Sequence, residues 1–252
     1  MDELLKRLTK IIFPILMGVI TFALVMTQPF YSLDSMLCDS VYARMNGAGD
    51  TIKLIAIDEE TLAEYGPMNK WSREKCAELT SLMFADDEHA PAVLAYDVMF
   101  IGEEDEALDQ ALADACSGNP VVTATNLVYR GTTVYNQNVL YFDELNISSE
   151  ELPYEALNEN VRSGFSNSLV SNDGFIRTTQ VSADFAGNTR YSFATEIYRA
   201  YCDETGAEIS LPKVNSRNQA VFGYSGKPGE FPRFSLSDVI AGNVDMRNFQ
   251  DS

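Results

Sequence analysis

The stretch Ile52–Gly66, IKLIAIDEETLAEYG, decides the fold because it changes at Asp58 from an apolar run to an acidic segment with a helical pattern. The apolar residues before Asp58 predict a buried strand, and Glu59–Tyr65 predicts a short helix that ends at a glycine. A second apolar run, Ala92–Met99, repeats this design and reaches Asp97. Two buried strands that each end at a carboxylate indicate an α/β fold with a polar cluster at one edge of the sheet.

The residues after the first strand alternate between helical and strand-like patterns. Ser72 can cap a helix that runs to about Phe84, Glu104–Cys116 predicts a second helix, and Pro120–Asn126 predicts a third strand. The expected buried faces are Cys76, Leu79, Leu82 and Met83 in the first helix and Leu108, Ala111, Leu112 and Ala115 in the second. Short connections predict parallel strands joined by right-handed crossovers, with both helices parallel on one face of the sheet.

The second half of the chain predicts a mixed architecture. Its expected elements are a hairpin or excursion at 129–142, a strand at 175–181, a strand that becomes a helix at 191–201, a hairpin at 214–224 and a short helix at 235–241. No linker separates two domains. We therefore expect one mixed α/β domain over 49–252, with a three-layer character and an N-terminal βαβαβ unit of parallel strands.

Four cysteines, Cys38, Cys76, Cys116 and Cys202, are scattered without a Cys-x-x-Cys pair. Cys76 lies near the start of the first long helix and Cys116 at the end of the second, so parallel helices would keep them at opposite ends. Because a disulfide needs Cα atoms within about 7 Å, we predict that these two are not bonded to each other. Other pairings stay open.

Charge and composition exclude several classes of function. A net charge of −19 would repel the phosphates of a nucleic acid. A single histidine, His89, excludes histidine-rich zinc sites, and no glycine-rich phosphate loop of either common form occurs. The sequence predicts no nucleic-acid partner and no cofactor.

The N-terminus carries a long apolar segment. With neighbouring leucines and Phe30, Ile11–Met26 approaches the ~20 residues that cross a bilayer. Lysine and arginine precede it, which keeps the N-terminus in the cytoplasm, and no small-residue cleavage site follows it. We predict a retained transmembrane helix within 1–30, a membrane-proximal stalk helix at 31–48 and a main domain outside the cytoplasm, held at the cell membrane by this single span.

Six motifs follow the apolar segment in a definite order. They are CDSVYAR from Cys38, IAIDEETLAEYG from Ile55, WSREKCAEL from Trp71, LAYDVMF from Leu94, GFSNSLVSNDGFIR from Gly164 and FSLSDVIAG from Phe234. Their order and spacing, from about Asp39 to Gly242, resemble the second type of cyclase/histidine-kinase-associated sensory extracellular domain, the CHASE type-two family.

This resemblance implies an extracytoplasmic sensory and dimerising domain of a bacterial membrane receptor. In that family the domain regulates a cytoplasmic nucleotide cyclase or protein kinase, and we expect adenylate cyclase in the first place. We also expect that the chain is not itself an enzyme, that it forms a homodimer, and that its partners are the membrane and an unknown small-molecule or protein cue outside the cell. The family continues into a further apolar strand, so we expect a fragment of a longer receptor.

The candidate ligand-binding residues are Asp58, Trp71, Arg73 and Asp97. The two aspartates end strands at the carboxyl edge of a parallel sheet, where α/β domains place ligands, and the other two residues precede the long helix. Arg73 could meet an acidic ligand there, or the aspartates could hold Mg²⁺ or Ca²⁺. In the alternative that we favour, Asp58 only caps the next helix and Arg73 pairs with Asp97, which requires no ligand.

A second function stays open at this point, a membrane-anchored extracytoplasmic hydrolase. It would use Asp58 and Asp97 with a divalent metal, and it requires two carboxyl groups close together with no arginine between them. The acidic cluster Glu103–Asp109 predicts a solvated helix start rather than a calcium site. We predict neither a metal site nor catalytic residues in this chain.

Overall fold

The structure is a computed structural model that describes residues 2–27, 36–37, 39, 47, 49–130, 147–170, 174–227, 229–250 and 252. The chain divides into two compact units, Met1–Arg44 and Met45–Ser252. Most of the predicted stalk helix, 31–48, and most of the predicted excursion at 129–142 fall outside the described residues.

The first unit contains helix α1, Asp2–Thr27. Its large apolar side chains are exposed at Ile12, Phe13, Ile15, Leu16, Met17, Val19, Ile20, Phe22 and Leu24. Among the described residues, no helix combines the length and the apolar character that a membrane crossing requires. The structure therefore does not support the predicted transmembrane helix.

The second unit begins with the expected strand and helix. Strand β1, Leu54–Ala56, is followed by α2, Glu59–Tyr65, which has the predicted bounds. Gly66 ends α2 with a φ of 82°, a left-handed conformation that glycine adopts without steric cost. A 3₁₀ turn at Met68–Lys70 leads into α3, Ser72–Met83.

The next three elements also follow the predicted order. They are β2, Leu94–Tyr96, α4, Glu106–Cys116, and β3, Val121–Tyr129. Strands β2 and β3 pair in parallel, with Leu94 opposite Val121. Helices α3 and α4 contact each other at their starts, where Arg73 of α3 pairs with Asp109 of α4.

The first strand has a partner that the sequence did not predict. Strand β1 pairs in parallel with β10, Arg233–Ser235, so that Leu54 lies opposite Arg233. Strand β10 is followed by α7, Leu236–Ile240, and by a 3₁₀ turn at Met246–Asn248. The prediction that the first three strands form one βαβαβ sheet is therefore wrong for β1, because its hydrogen bonds go to a strand from the far end of the chain.

Strand β3 is the centre of a mixed sheet. Strand β5, Arg162–Phe165, pairs with it in parallel, and β4, Ile147–Glu151, pairs with its second half in antiparallel orientation. The short helix α5, Glu155–Asn158, connects these two strands. The mixed α/β class is confirmed.

The remaining strands form two small antiparallel pairs. Strand β6, Thr178–Gln180, pairs with β9, Gln219–Val221. The turn of the predicted hairpin at 214–224 is present, because the Asn215 backbone N–H donates to the Gln219 carbonyl at 2.9 Å, but the strand that follows it pairs with β6. A two-stranded hairpin lies earlier, between β7, Ser182–Phe185, and β8, Asn188–Tyr191. Helix α6, Phe193–Thr205, follows it.

The main core lies around α3, α4 and the strands β2 and β3. Its buried residues include Trp71, Cys76, Leu79, Met83, Leu94, Tyr96, Phe100, Leu112, Cys116, Tyr154, Leu157, Leu236 and Val239. A smaller cluster consists of Leu127, Phe165 and Ala183. The buried face of α4 differs from the prediction by one position, because Asp109, Leu112, Ala113 and Cys116 are its buried residues and Ala111 is exposed.

Candidate functional site

Asp58 lies at the carboxyl end of β1 and caps α2. Its Oδ1 accepts hydrogen bonds from the Thr61 backbone N–H at 3.1 Å, the Thr61 hydroxyl at 3.0 Å and the Ser235 hydroxyl at 2.8 Å. The bond from the Thr61 N–H, followed by that from Ser235, lowers the pKa of Asp58. The predicted capping role is confirmed, and the hydroxyls around the carboxylate are an addition to it.

These groups belong to a local network that we call the Asp58 cluster, namely Asp58, Thr61, Ser235 and Ser237. The hydroxyl oxygens of Thr61 and Ser235 lie 3.0 Å apart, and those of Ser235 and Ser237 lie 2.9 Å apart. The backbone N–H of Ser237 donates to the Thr61 hydroxyl oxygen at 3.2 Å. The cluster therefore ties the start of α2 to the start of α7 with donors and acceptors that satisfy each other.

Arg73 is buried and pairs within the main core. Its Nε lies 2.9 Å from Oδ1 of Asp109, and one terminal nitrogen donates to the Gly102 carbonyl at 2.7 Å. The other oxygen of Asp109 accepts from the Glu104 backbone N–H at 2.8 Å. The expected pairing of Arg73 with Asp97 is wrong, since Asp97 is exposed after the end of β2.

Two aromatic rings complete the surroundings of Arg73. Its guanidinium carbon lies 5.3 Å from the ring centroid of Phe100 and 4.6 Å from that of Tyr154. The Tyr154 hydroxyl donates to the backbone carbonyl of Asp109 at 2.7 Å, so that ring is fixed in place. Cation–π attraction is strong when both partners are removed from water, as they are here.

Trp71 also has an internal role. It is buried, and its indole N–H donates to the Gly66 carbonyl at 2.8 Å. Its ring meets that of Tyr65 edge to face with centroids 5.8 Å apart. These contacts hold the segment between α2 and α3 against the core.

The four predicted site residues thus have separate surroundings. Among the described residues, no hydrogen bond or ion pair joins any two of Asp58, Trp71, Arg73 and Asp97. Ligand binding by this set remains a prediction. Within the described part of the chain there is also no group of three or more His, Cys, Asp or Glu side chains that could hold a metal ion.

Sequence reasoning missed Asp109, the residue on which the buried arginine depends. The sequence predicts that it belongs to a solvated acidic helix start, yet it is buried. A signal was available, because Asp109, Leu112, Ala113 and Cys116 follow the spacing of one helical face. An acidic residue on an otherwise apolar face predicts a buried ion pair.

The described cysteines, Cys76, Cys116 and Cys202, are buried free thiols. The prediction that the first two are not bonded to each other is confirmed. The Thr80 hydroxyl donates to the Cys76 carbonyl, one turn earlier in α3, at 2.8 Å. Burial raises the pKa of Cys76 to about 12 and that of Cys116 to about 11, which disfavours the reactive thiolate.

Comparison with known proteins gives one match. A family model described as the CHASE2 domain matches residues 16–252, nearly the whole chain. A search of curated proteins found no match, and neither did a search of solved structures.

Proposed function

Because this chain belongs to the CHASE2 domain family, whose members are extracellular sensory domains of cyclase and kinase receptors, we propose that it is the sensory and dimerising ectodomain of a membrane receptor. The receptor would regulate a cytoplasmic nucleotide cyclase or protein kinase, with adenylate cyclase as the first candidate. The family match over residues 16–252 is the observation that carries this proposal.

Helix α1 is the part of the chain that we assign to membrane attachment. Its exposed side chains from Ile12 to Leu24 are predominantly apolar, and water would solvate such a surface poorly. Contact with lipid, or with α1 of a second copy within lipid, would cover it. Lysine and arginine precede this apolar segment in the sequence, and this charge bias supports the proposed location of 49–252 outside the cytoplasm.

Buried polar contacts connect the helices of the main domain. Arg73 and Asp109 connect α3 to α4, and the Asp58 cluster connects α2 to α7. A cue acts on a receptor only through a difference in affinity between two arrangements. We propose that the two arrangements differ in how two such bodies associate, while the core of each stays unchanged.

A fusion experiment tests the location. Alkaline phosphatase, which folds only outside the bacterial cytoplasm, is joined after Ser252, and a fluorescent protein that matures in the cytoplasm is joined there in a matched strain. We expect an active phosphatase and a dark fluorescent protein. Deletion of 11–26 should reverse both signals, and the reversed pattern in the unaltered chain would refute the proposal.

A cross-linking experiment tests the dimer. Cys76, Cys116 and Cys202 are changed to Ala, which leaves Cys38 as the single thiol in each chain. Mild oxidation of membranes should then give a covalent dimer, and a Cys38→Ser variant should not. A chain that also sediments as a monomer in detergent and in nanodiscs would contradict the dimerising role.

A further inference from the structure

A cavity of about 350 Å³ opens beside the paired first residues of β1 and β10. We call it the basic pocket and define it by its side chains Leu54, Tyr224, Lys227, Phe231 and Arg233. It lies on the opposite side of this strand pair from the Asp58 cluster, because it is at the amino ends of the strands. None of the residues predicted as a ligand site lines it.

The walls of the basic pocket are apolar and held in position. Leu54 and Arg233 are opposite each other in the register of β1 and β10, so the strand pair fixes one side. On the other side, the Tyr224 hydroxyl donates to the Ile176 carbonyl at 2.9 Å. Leu54 and Tyr224 are nevertheless exposed, so the pocket presents apolar surface to water.

Two cations stand at this apolar surface. Arg73, Arg162 and Arg190 each have a carboxylate partner. Neither the Lys227 ammonium nor the Arg233 guanidinium has one among the described residues, although acidic residues outnumber basic ones by 37 to 18 in the sequence. The nearby Glu230 carboxylate accepts from the Lys227 backbone N–H at 3.0 Å, which shapes the turn.

The backbone of the turn also leaves room at the pocket. Gly226 and Gly229 line it, and Gly229 has a φ of 86° with no atom within 4 Å of the position that a Cβ would take. A left-handed glycine with open space beside it allows a ligand to approach the main chain closely. The same turn carries Lys227.

We propose that the basic pocket binds a small organic anion, a carboxylate that carries an apolar body. The carboxylate would accept from Lys227 and Arg233, and the apolar body would cover Leu54, Tyr224 and Phe231. A few convergent polar groups in a mainly apolar cleft of this volume are typical of small-molecule sites. Charge-assisted bonds to a carboxylate are stronger than bonds between neutral groups. The inference concerns binding by this chain and does not depend on the receptor assignment.

Benzoate is the probe that tests this proposal, with the full chain held in lipid nanodiscs and binding followed by ligand-observed NMR. A ligand of this size in a good site gives a dissociation constant on the order of 1 mM. Benzamide keeps the ring without the charge, and acetate keeps the charge without the ring. Because both halves of the pocket contribute, we expect each of these to bind about tenfold more weakly than benzoate.

Variants show whether binding occurs at this pocket. Arg233→Gln and Lys227→Gln should each raise the dissociation constant of benzoate about tenfold, since each removes a charge-assisted bond. The matched control Lys213→Gln removes one exposed charge outside the pocket and should leave binding unchanged. Equal melting temperatures for the three variants show that they are folded, which is expected because these side chains are exposed.

Three outcomes would overturn the proposal. They are the absence of saturable benzoate binding, equal binding of benzamide, and unchanged benzoate binding in the Lys227→Gln, Arg233→Gln double variant. The fusion experiment on location uses a separate readout. Failure of the pocket and failure of the receptor assignment are therefore distinguishable.

Discussion

Two regions of the domain each contain an arginine–carboxylate pair, and the pairs differ in how fully they are enclosed. In the main core, the side chains of Arg73 and Asp109 are 3% and 6% exposed. In the mixed sheet, Glu150 on β4 is 4% exposed, but its partner Arg190 on β8 is 40% exposed, with 2.8 Å between Glu150 Oε2 and Arg190 Nε. Both side chains of the first pair are buried, whereas in the second pair the carboxylate is buried and the arginine is partly exposed to water.

This difference indicates what each pair contributes. Removal of one member of a fully buried pair leaves a charge without compensation, and that cost greatly exceeds the net value of the pair. A pair with one exposed member can exchange the lost contact for water. Stability should therefore depend strongly on the enclosed pair in the main core and only moderately on the pair at the smaller cluster.

Asp109→Ala should have the largest effect. It leaves the Arg73 guanidinium buried with only the Gly102 carbonyl and the more distant Glu104 carboxylate, so we expect a loss of about 3–5 kcal/mol in the free energy of unfolding. Chemical denaturation of the domain measures it. Asp97→Ala, at an exposed position, is the control and should change stability by no more than about 0.5 kcal/mol. Equal losses of stability in Asp109→Ala and Asp97→Ala would show that the enclosed pair contributes no more than an exposed carboxylate.

Gly164→Ala tests how closely β5 packs against the start of α6, next to the smaller cluster. A Cβ at this position in β5 would lie 2.7 Å from the Phe193 Cα and 2.8 Å from the Phe193 nitrogen, at the start of α6. Since backbone atoms cannot move aside easily, we expect a loss of about 1–3 kcal/mol in unfolding free energy. In Gly49→Ala, where nothing lies within 4 Å, the loss should be absent. If Gly164→Ala were neutral, β5 and α6 would be less closely packed than the structure indicates.

Arg190→Gln should have a smaller effect than either. Glu150 loses its partner but keeps the Thr125 hydroxyl at 3.3 Å and can gain water through the space that Arg190 vacates. We expect a loss of about 1 kcal/mol. Arg162→Gln disrupts a pair in which the carboxylate, Asp203, is itself 49% exposed, so its loss should cost less. A loss for Arg190→Gln as large as that for Asp109→Ala would show that exposure does not separate the two regions.

Asp58→Asn should have the smallest effect on stability. The pH dependence of this effect shows whether the charge of Asp58 causes it. Because hydrogen bonds lower the pKa of Asp58 in the folded state, its ionised form contributes stability above the unfolded value near 3.8, and this contribution disappears as the pH falls through the lower folded value. The wild type should melt above the Asn variant at pH 7. We expect this difference to shrink below pH 4. A difference in melting temperature that is independent of pH would mean that the charge plays no part.

The local elements could be predicted from sequence, while their partners could not. The bounds of α2 and the cap at Asp58 follow from residues within one turn of each other. The pairing of β1 with β10 joins Leu54 to Arg233, and nothing near either strand specifies the other. For the site, the sequence was sufficient to predict that Asp109 lies on the buried face of α4. The prediction that Asp97 pairs with Arg73 was wrong because the position of a residue at a strand end does not determine the direction in which its side chain points.

The cysteines in the described part of the chain, all three of them buried, have a practical consequence for measuring motion. Cys76 and Cys116 lie between α3 and α4, and Cys202 lies on α6, so an alkylating reagent reaches each of them only when its surroundings open transiently. The rate of modification at each sulfur therefore reports the rate of local opening around it. Labelling under native conditions, followed by mass spectrometry, would measure the opening of the two regions separately in the wild-type protein.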